Sequence, residues 1–361
     1  MRINVNFMNY VPKMEGTMKH WLYTVLAAAA LSTTGVAVAE EYNHDHGSHH
    51  ANGNGNGNGN GYCETECYEE DCCDDNGFCV WVDALIMKPC HNLRYAQTVT
   101  GTAPALVYSD YNAEWEWDFG FRVGAGFKLP CHDWSINAEL TCFKPSWEES
   151  VSVAVGTDII RGGIATNMPF SHTAAAGISS ISTKMDVDYY TFDVVAAYNC
   201  CVCEALELTP YGGCRALWLD QAVSEINVGG GFAAAPGEKT TLSTEYTAYG
   251  VTGGLRWKFF TCYPFHVFGH FGISGVAGTH DLNAKAIQTD TETWSTSEEC
   301  RPSFGVEGSI GALWECCAWG TPVNLGVRYE HTTWSNIFDP FSNGDRTFAM
   351  HGVSVRAGIS F

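Results

Sequence analysis

"EWEWDFGFRVGAGFKL", residues 114–129, repeats with a period of two. Trp115, Trp117, Phe119, Phe121, Val123, Ala125, Phe127 and Leu129 share one face, and Glu114, Glu116, Asp118, Gly120, Arg122, Gly124, Gly126 and Lys128 share the other. Successive side chains of a strand point to opposite faces, so the stretch predicts a strand, and one longer than the roughly five or six residues usual in globular sheets. Its apolar face has large residues at both ends and a small one between. That suits a lipid-facing surface with aromatic girdles, while glycine mixed with both charge signs suits a polar barrel interior.

The pattern recurs over 79–88, 114–129, 133–147, 183–199, 206–220, 243–260, 265–279, 302–315, 322–335 and 347–361. Connections alternate between short (129–133, 199–205, 260–264, 315–321) and mostly long (89–113, 148–182, 221–242, 280–301, 336–346), with both ends of the chain on the short side. An outer-membrane barrel with periplasmic turns and extracellular loops requires that alternation. Strand 265–279 is apolar on both faces and keeps a secreted β-sandwich as the competing architecture. Further β-like pieces at 151–160, 178–185 and 285–294 are either hairpins above the membrane or extra crossings. The expectation is an all-β transmembrane antiparallel barrel of 10–14 strands, 10–12 preferred, with short periplasmic turns and long extracellular loops, in the bacterial outer membrane. The terminal "VSVRAGISF" places Val353, Val355, Ile359 and Phe361 on one face. It resembles the C-terminal signal that the barrel assembly machinery reads, which makes that machinery and outer-membrane lipid expected partners.

Ahead of the barrel, "MKHWLYTVLAAAALSTTGVAVAEE" has a basic start, a short apolar run and an Ala-Val-Ala site, so residues 1–39 are expected to be an upstream extension and secretory signal peptide. Residues 40–61 hold a His-rich tract and repeated Asn-Gly, which predicts a flexible linker. His44, His46, His49 and His50 could hold a transition metal weakly; a solvated polar tract is the preferred reading. Residues 62–78 form an acidic cysteine-rich periplasmic segment, and 79–361 the barrel. Without residues 1–39 the chain carries 16 Lys and Arg against 39 Asp and Glu. That balance argues against nucleic acid as a partner.

Sixteen cysteines need a place. Cys131, Cys200, Cys201, Cys203, Cys262, Cys316 and Cys317 all fall in the short turns, where chance would put about one. With Cys63, Cys67, Cys72, Cys73 and Cys79 they are disulfide candidates on the periplasmic side. Acidic neighbours raise a thiol's pKa, the oxidising periplasm favours disulfides, and Cys-x3-Cys-x4-Cys-Cys lacks zinc-ribbon spacing, so no metal site is expected. Cys142 and Cys214 point to lipid by parity.

The polar faces assign Glu114, Glu116, Asp118, Arg122, Lys128, Glu139, Asp193, Glu207, Arg215, Arg256, Lys258, Glu307, Arg328, Glu330 and Arg356 to the lumen. Their charges nearly balance, and acidic loops then predict a modest preference for cations. His266, His270 and Ser274 share one face of a strand without a convergent acid, so the expectation is polar lining, no enzyme and no cofactor.

"FCVWVDALIMKPCHNLRYA", "WEWDFGFRVGAGFKLPCHDWSINAELTCFKP" and "VSVRAGISF" together resemble the pore-forming major outer membrane protein family of Legionella and the chlamydia-related bacteria. The resemblance implies an abundant porin-like barrel, cross-linked in cysteine-rich members by disulfides into an envelope that relies little on peptidoglycan. The Asn-Gly linker and acidic cysteine segment depart from that pattern. The functional expectation is passive diffusion of small solutes and ions, with disulfide links to itself or to other envelope proteins. The alternative is a closed-barrel structural or adhesive surface protein without pore activity.

Overall fold

The computed structural model describes residues 77–90, 94–100, 107–130, 133–152, 158–162, 180–203, 205–228, 238–262, 264–287, 291–318, 321–337 and 347–361. The signal peptide, the linker, Cys63, Cys67, Cys72, Cys73 and Cys131 lie outside them. The strands are β1 (Phe78–Pro89), β2 (Arg94–Thr100), β3 (Val107–Asn112), β4 (Asp118–Lys128), β5 (Trp134–Phe143), β6 (Ser146–Ser152), β7 (Asp158–Gly162) and β8 (Ser180–Tyr198). They continue with β9 (Cys200–Cys203), β10 (Leu206–Val228), β11 (Glu238–Cys262), β12 (Phe265–Ile287), β13 (Thr291–Ala318), β14 (Thr321–Ser335) and β15 (Phe348–Ser360).

Ten of these close into a barrel in the order β1-β4-β5-β8-β10-β11-β12-β13-β14-β15, every neighbour antiparallel. The seam joins β1 to β15 and ends where Phe78 and Phe361 exchange backbone hydrogen bonds at 3.1 and 2.8 Å. Closure leaves no open sheet edge in the bilayer, the condition for β-structure to cross lipid. β6 continues β5 along β8, β9 folds onto the start of β10, and β2, β3 and β7 form a separate three-stranded sheet.

Several boundaries differ from the sequence expectation. β4 begins at Asp118 rather than 114: its pairing with β1 stops at Met87 opposite Asp118, and β1 ends two residues later at Pro89, which has no N–H to offer a ladder. Trp115 is therefore not lipid-facing but buried, 6.4 Å from Trp147. The stretch 221–242, expected as a loop, and 280–301, with its piece at 285–294 expected as a hairpin above the membrane or an extra crossing, are largely the arms of long hairpins, because β10 to β13 run for 23, 25, 23 and 28 residues. Threonine-rich runs such as "KTTLSTEYT" favour strands without needing a lipid-facing side.

β10, β11 and β12 each invert their apolar face partway up. On β10, Leu206, Leu208 and Trp218 face outward, but above Trp218 the outward side reads Asp220, Ala222 and Ser224 while Leu217, Leu219 and Val223 are buried inside. On β12, Val267, Phe271 and Ile273 face outward below, whereas Thr279, Asp281 and Asn283 do so above, over buried Val276, Leu282 and Ala284. The lower part of the wall is built for lipid, and Phe119, Val251 and Ile310 stand 75%, 64% and 56% exposed there. The upper part has the ordinary plan of a water-exposed sheet over a dry core.

Candidate functional site: the barrel interior

The turn-side half of the lumen holds an ionic lattice. Asp83 of β1 lies directly across from Arg122 of β4 and Arg356 of β15. Its carboxylate has no exposed surface and accepts hydrogen bonds from Arg122 Nη1 (3.1 Å), Arg328 Nη2 (2.8 Å), Arg356 Nε (2.7 Å) and Arg356 Nη2 (2.9 Å). Glu330 accepts from Arg122 Nη1 and Nη2 at 3.0 and 2.8 Å and from Arg328 Nε at 2.8 Å. Glu139 sits 3.3 Å from Arg122 Nε and accepts from Trp81 Nε1 at 3.0 Å. The Trp81 ring lies against Gly124, where a Cβ would collide with the indole. Three guanidiniums thus face three carboxylates in a charge-neutral set, the arrangement that lets charges be buried.

A second group sits on the other side of the lumen. Arg215 of β10 holds Asp193 of β8 in a fork, Nε to Oδ1 at 2.6 Å and Nη2 to Oδ2 at 2.7 Å. Its Nη1 donates to Glu307 of β13 at 3.0 Å and to Ser274 of β12 at 2.8 Å, and Ser274 donates to Thr252 at 3.0 Å. Ser309 Oγ and His270 Nδ1 are 2.6 Å apart, and His266 lies 3.3 Å from Glu315. The three residues His266, His270 and Ser274 are each engaged with a different partner.

Above these groups the lumen is bridged. Trp334 Nε1 donates to the Tyr189 hydroxyl at 3.2 Å, and both side chains are buried. β8 and β14 are opposed in the closed order, with four strands between them on either side, so this bond spans the barrel's diameter. Phe348 packs 6.0 Å from the Tyr189 ring, and buried Phe143, Met87 and Met350 complete an apolar layer. Below it a cavity of about 360 Å³ runs from Cys79 and Ser360 beside the turns up to Phe143 and Tyr189.

Of the fifteen residues expected in the lumen, Arg122, Glu139, Asp193, Glu207, Arg215, Arg256, Lys258, Glu307, Arg328, Glu330 and Arg356 border this cavity. Glu114 and Glu116 are corrected: they are exposed on the segment ahead of β4, which has already left the ladder. Asp118, at the end of β4, accepts from the Ser146 amide at 3.0 Å, and Lys128 closes the turn-side end of that strand. Asp83, the centre of the lattice, was not anticipated. Its signal was available, since in "FCVWVDALIMK" it occupies the parity of Trp81 and opposes that of Val80, Val82 and Ala84.

The remaining cysteine candidates gather at one end of the barrel. Cys79 starts β1 and faces the cavity, Cys200, Cys201 and Cys203 form β9, Cys262 ends β11, and Cys316 and Cys317 lie at the end of β13. Cys79, Cys200, Cys203, Cys316 and Cys317 are free thiols here. Val353, Val355 and Ile359 share the outward face of β15, as their parity requires, and Phe361 follows directly after it.

The sequence model of the family described as Legionella pneumophila major outer membrane protein precursor matches residues 71–360. Among solved structures, the outer membrane protease OmpT from Escherichia coli matches at 12% identity over 80% of this chain and 96% of that chain, with a TM-score of 0.42. A major outer membrane protein from Thermus thermophilus matches at 9% identity over 79% and 99%, with a TM-score of 0.33. The toluene transporter TodX from P. putida matches at 9% identity over 80% and 90%, also at 0.33. Comparison with curated protein sequences gives no match. With 71–360 matched and ten strands closed into a lipid-faced barrel, the chain belongs to the Legionella major outer membrane protein family and is a β-barrel of the bacterial outer membrane.

Proposed function

We propose that this protein is a structural barrel of the outer membrane, closed to solutes through its lumen and tied to its neighbours by disulfides at the turn-side rim. The observation that carries the first half is the buried Trp334–Tyr189 hydrogen bond between opposed strands. Roughly eight strands leave an interior that side chains just fill and about sixteen leave a channel, so ten strands with large inward residues fall on the filled side. The rim supports the second half: Cys200, Cys203 and Cys317 are exposed at the end that carries the short turns, and the periplasm oxidises thiols. His266, His270 and Ser274 enter this reading as polar lining, with no catalytic task.

Liposome swelling tests the closed lumen. Vesicles carrying the refolded protein should admit small sugars and amino acids no faster than protein-free vesicles; fast, size-graded entry would overturn the reading.

A second reading, passive diffusion of small solutes and ions, is favoured by the charged cavity that already occupies the turn-side half and leaves the bridging layer and the apolar core above it to part. Under that reading the acidic residues above the membrane, among them Asp281, Glu298 and Glu299, favour cations. Reversal potentials in a salt gradient should then show a cation preference that fades between about 0.1 M and about 1 M salt, as screening shortens the reach of those charges.

A further inference from the structure

β13 rises higher above the lipid belt than the strand beside it. Its pairing with β12 covers Thr291 onward, whereas β14 reaches only Ser335, opposite Phe304. β14 ends there for a local reason. Asn336 adopts a positive φ of 59°, its Nδ2 donates to Pro302 O at 2.6 Å, and its carbonyl accepts from Arg301 Nε at 3.1 Å, which turns the chain away from β13. Residues 291–300 therefore have β12 on one side and, among the described residues, no strand on the other. A bulge marks the base of this free stretch: Glu299 and Cys300 together oppose Thr279, and Cys300 has a φ of 58°.

Half of the backbone N–H and C=O groups along such an edge point away from the existing partner, which makes it a template for another strand. Proteins blunt edges of this kind with lysine, proline, brevity or a bulge; "TETWSTSEEC" has no lysine or proline, and its bulge lies only at the base, at Glu299 and Cys300. It carries three acidic residues and no basic one. Glu298 is 61% exposed even though Arg301 Nη1 approaches it at 3.4 Å, and Trp294 is 37% exposed on the same face, four residues away. Strand addition draws affinity from main-chain hydrogen bonds and selectivity from alternate side chains.

We propose that the free edge of β13, residues 291–300, binds an extended basic polypeptide segment as an added strand on the outer surface of the cell. A lysine or arginine opposite Glu298 shares a face with an apolar residue four positions along that packs on Trp294, and a second basic residue next to the first meets Glu299 on the other face. A second copy of this chain is the poorer occupant, because an antiparallel pairing of two such edges sets acidic segments against each other. The inference is independent of whether the lumen conducts.

The test uses the full-length protein in nanodiscs and a synthetic peptide of about ten residues, matched to the edge at 291–300, with a Lys-Lys pair to meet Glu298 and Glu299 and a valine four positions from the first lysine to meet Trp294. The same peptide N-methylated at alternate residues keeps its charge and loses the ability to pair. The unmodified peptide should bind, and N-methylation should weaken it at least about tenfold. Glu298→Gln with Glu299→Gln should weaken binding several-fold at about 0.1 M salt and less at about 0.5 M. A variant with 286–296 replaced by a tight turn should lose binding, its folding checked by heat-dependent migration in a detergent gel. The difference in fluorescence quenching between the native protein and Trp294→Phe reports the same contact without shortening the hairpin. Equal binding of both peptides, no response to the paired Gln substitutions, or no binding at all would overturn the proposal. Self-association that the Gln substitutions strengthen would assign the edge to a second copy and overturn the basic partner.

Discussion

The two halves of this barrel are built on opposite plans. In the turn-side half, apolar residues such as Val251, Phe271 and Ile310 face out, and Asp83, Arg122, Arg215, Glu307 and Glu330 face in. In the far half the outward positions of β10 to β12 are Asp220, Ser243, Glu245 and Asp281, while Leu217, Leu219, Tyr246 and Leu282 face in. The same strands run through both, so the difference comes from the solvent around each half and not from the backbone. Lipid outside removes any drive to bury apolar groups and leaves the interior to charges, which persist there only when fully paired. Water outside restores the usual hydrophobic core. The change occurs near Trp218 and Tyr249, and the Trp334–Tyr189 bridge sits beside it.

The lattice should break hardest. Asp83→Ala leaves Arg122, Arg328 and Arg356 without their shared acceptor, and removing one member of a buried charge set costs about 3–5 kcal/mol. Urea unfolding in detergent should show that loss. Leu217→Ala in the apolar half should cost somewhat less, about 2–4 kcal/mol, because it removes packing and strands no charge. A result in which Leu217→Ala is the more damaging would mean that the lattice is not what holds the lower half together.

Lysine placed on β11 sharpens the boundary. Leu255→Lys, nearer the middle of the lipid belt, should destabilise by about 2–4 kcal/mol, and Thr241→Lys, further up the same outward face, by about 0–1 kcal/mol. Equal effects would place Thr241 in lipid and remove the inversion on which the comparison rests.

The ten strands were legible because alternation and connection length carry independent information, and both follow from the requirement to cross lipid and return. What escaped notice has physical causes. Alternation through 114–117 continues past the point where β1 stops offering a partner, and nothing in "EWEW" records where a neighbour ends. The arm at 221–242 looked like a loop, and only 285–294 of 280–301 showed a β pattern, because their outward faces had turned polar, although the inversion of the apolar parity at Trp218 was written in the sequence. Asp83 was hidden among apolar neighbours. The inward charges were assigned by parity alone, and parity could not tell a water-filled lumen from one crossed by tryptophan and tyrosine, because the opposition of β8 and β14 depends on the strand count.

The smallest expected effect on the fold comes from the rim cysteines. Ser at Cys200, Cys201, Cys316 and Cys317 should leave unfolding unchanged and remove high-mass, reductant-sensitive species from envelope extracts, whereas Ser at Cys214, exposed on the outward face, and at Cys142, buried on β5, should leave those species in place. If both sets act alike, the links are not made at the turns.

Single-channel recording in planar bilayers tests the closed lumen most directly, with the native protein set against a variant carrying Trp334→Ala, Tyr189→Ala and Phe348→Ala. The native barrel should give no stable conductance steps, and the variant, verified as folded by its heat-dependent migration, should give discrete ones. Stable steps of the same size from both would contradict the account, because they would show that ions pass without crossing the Trp334–Tyr189 layer.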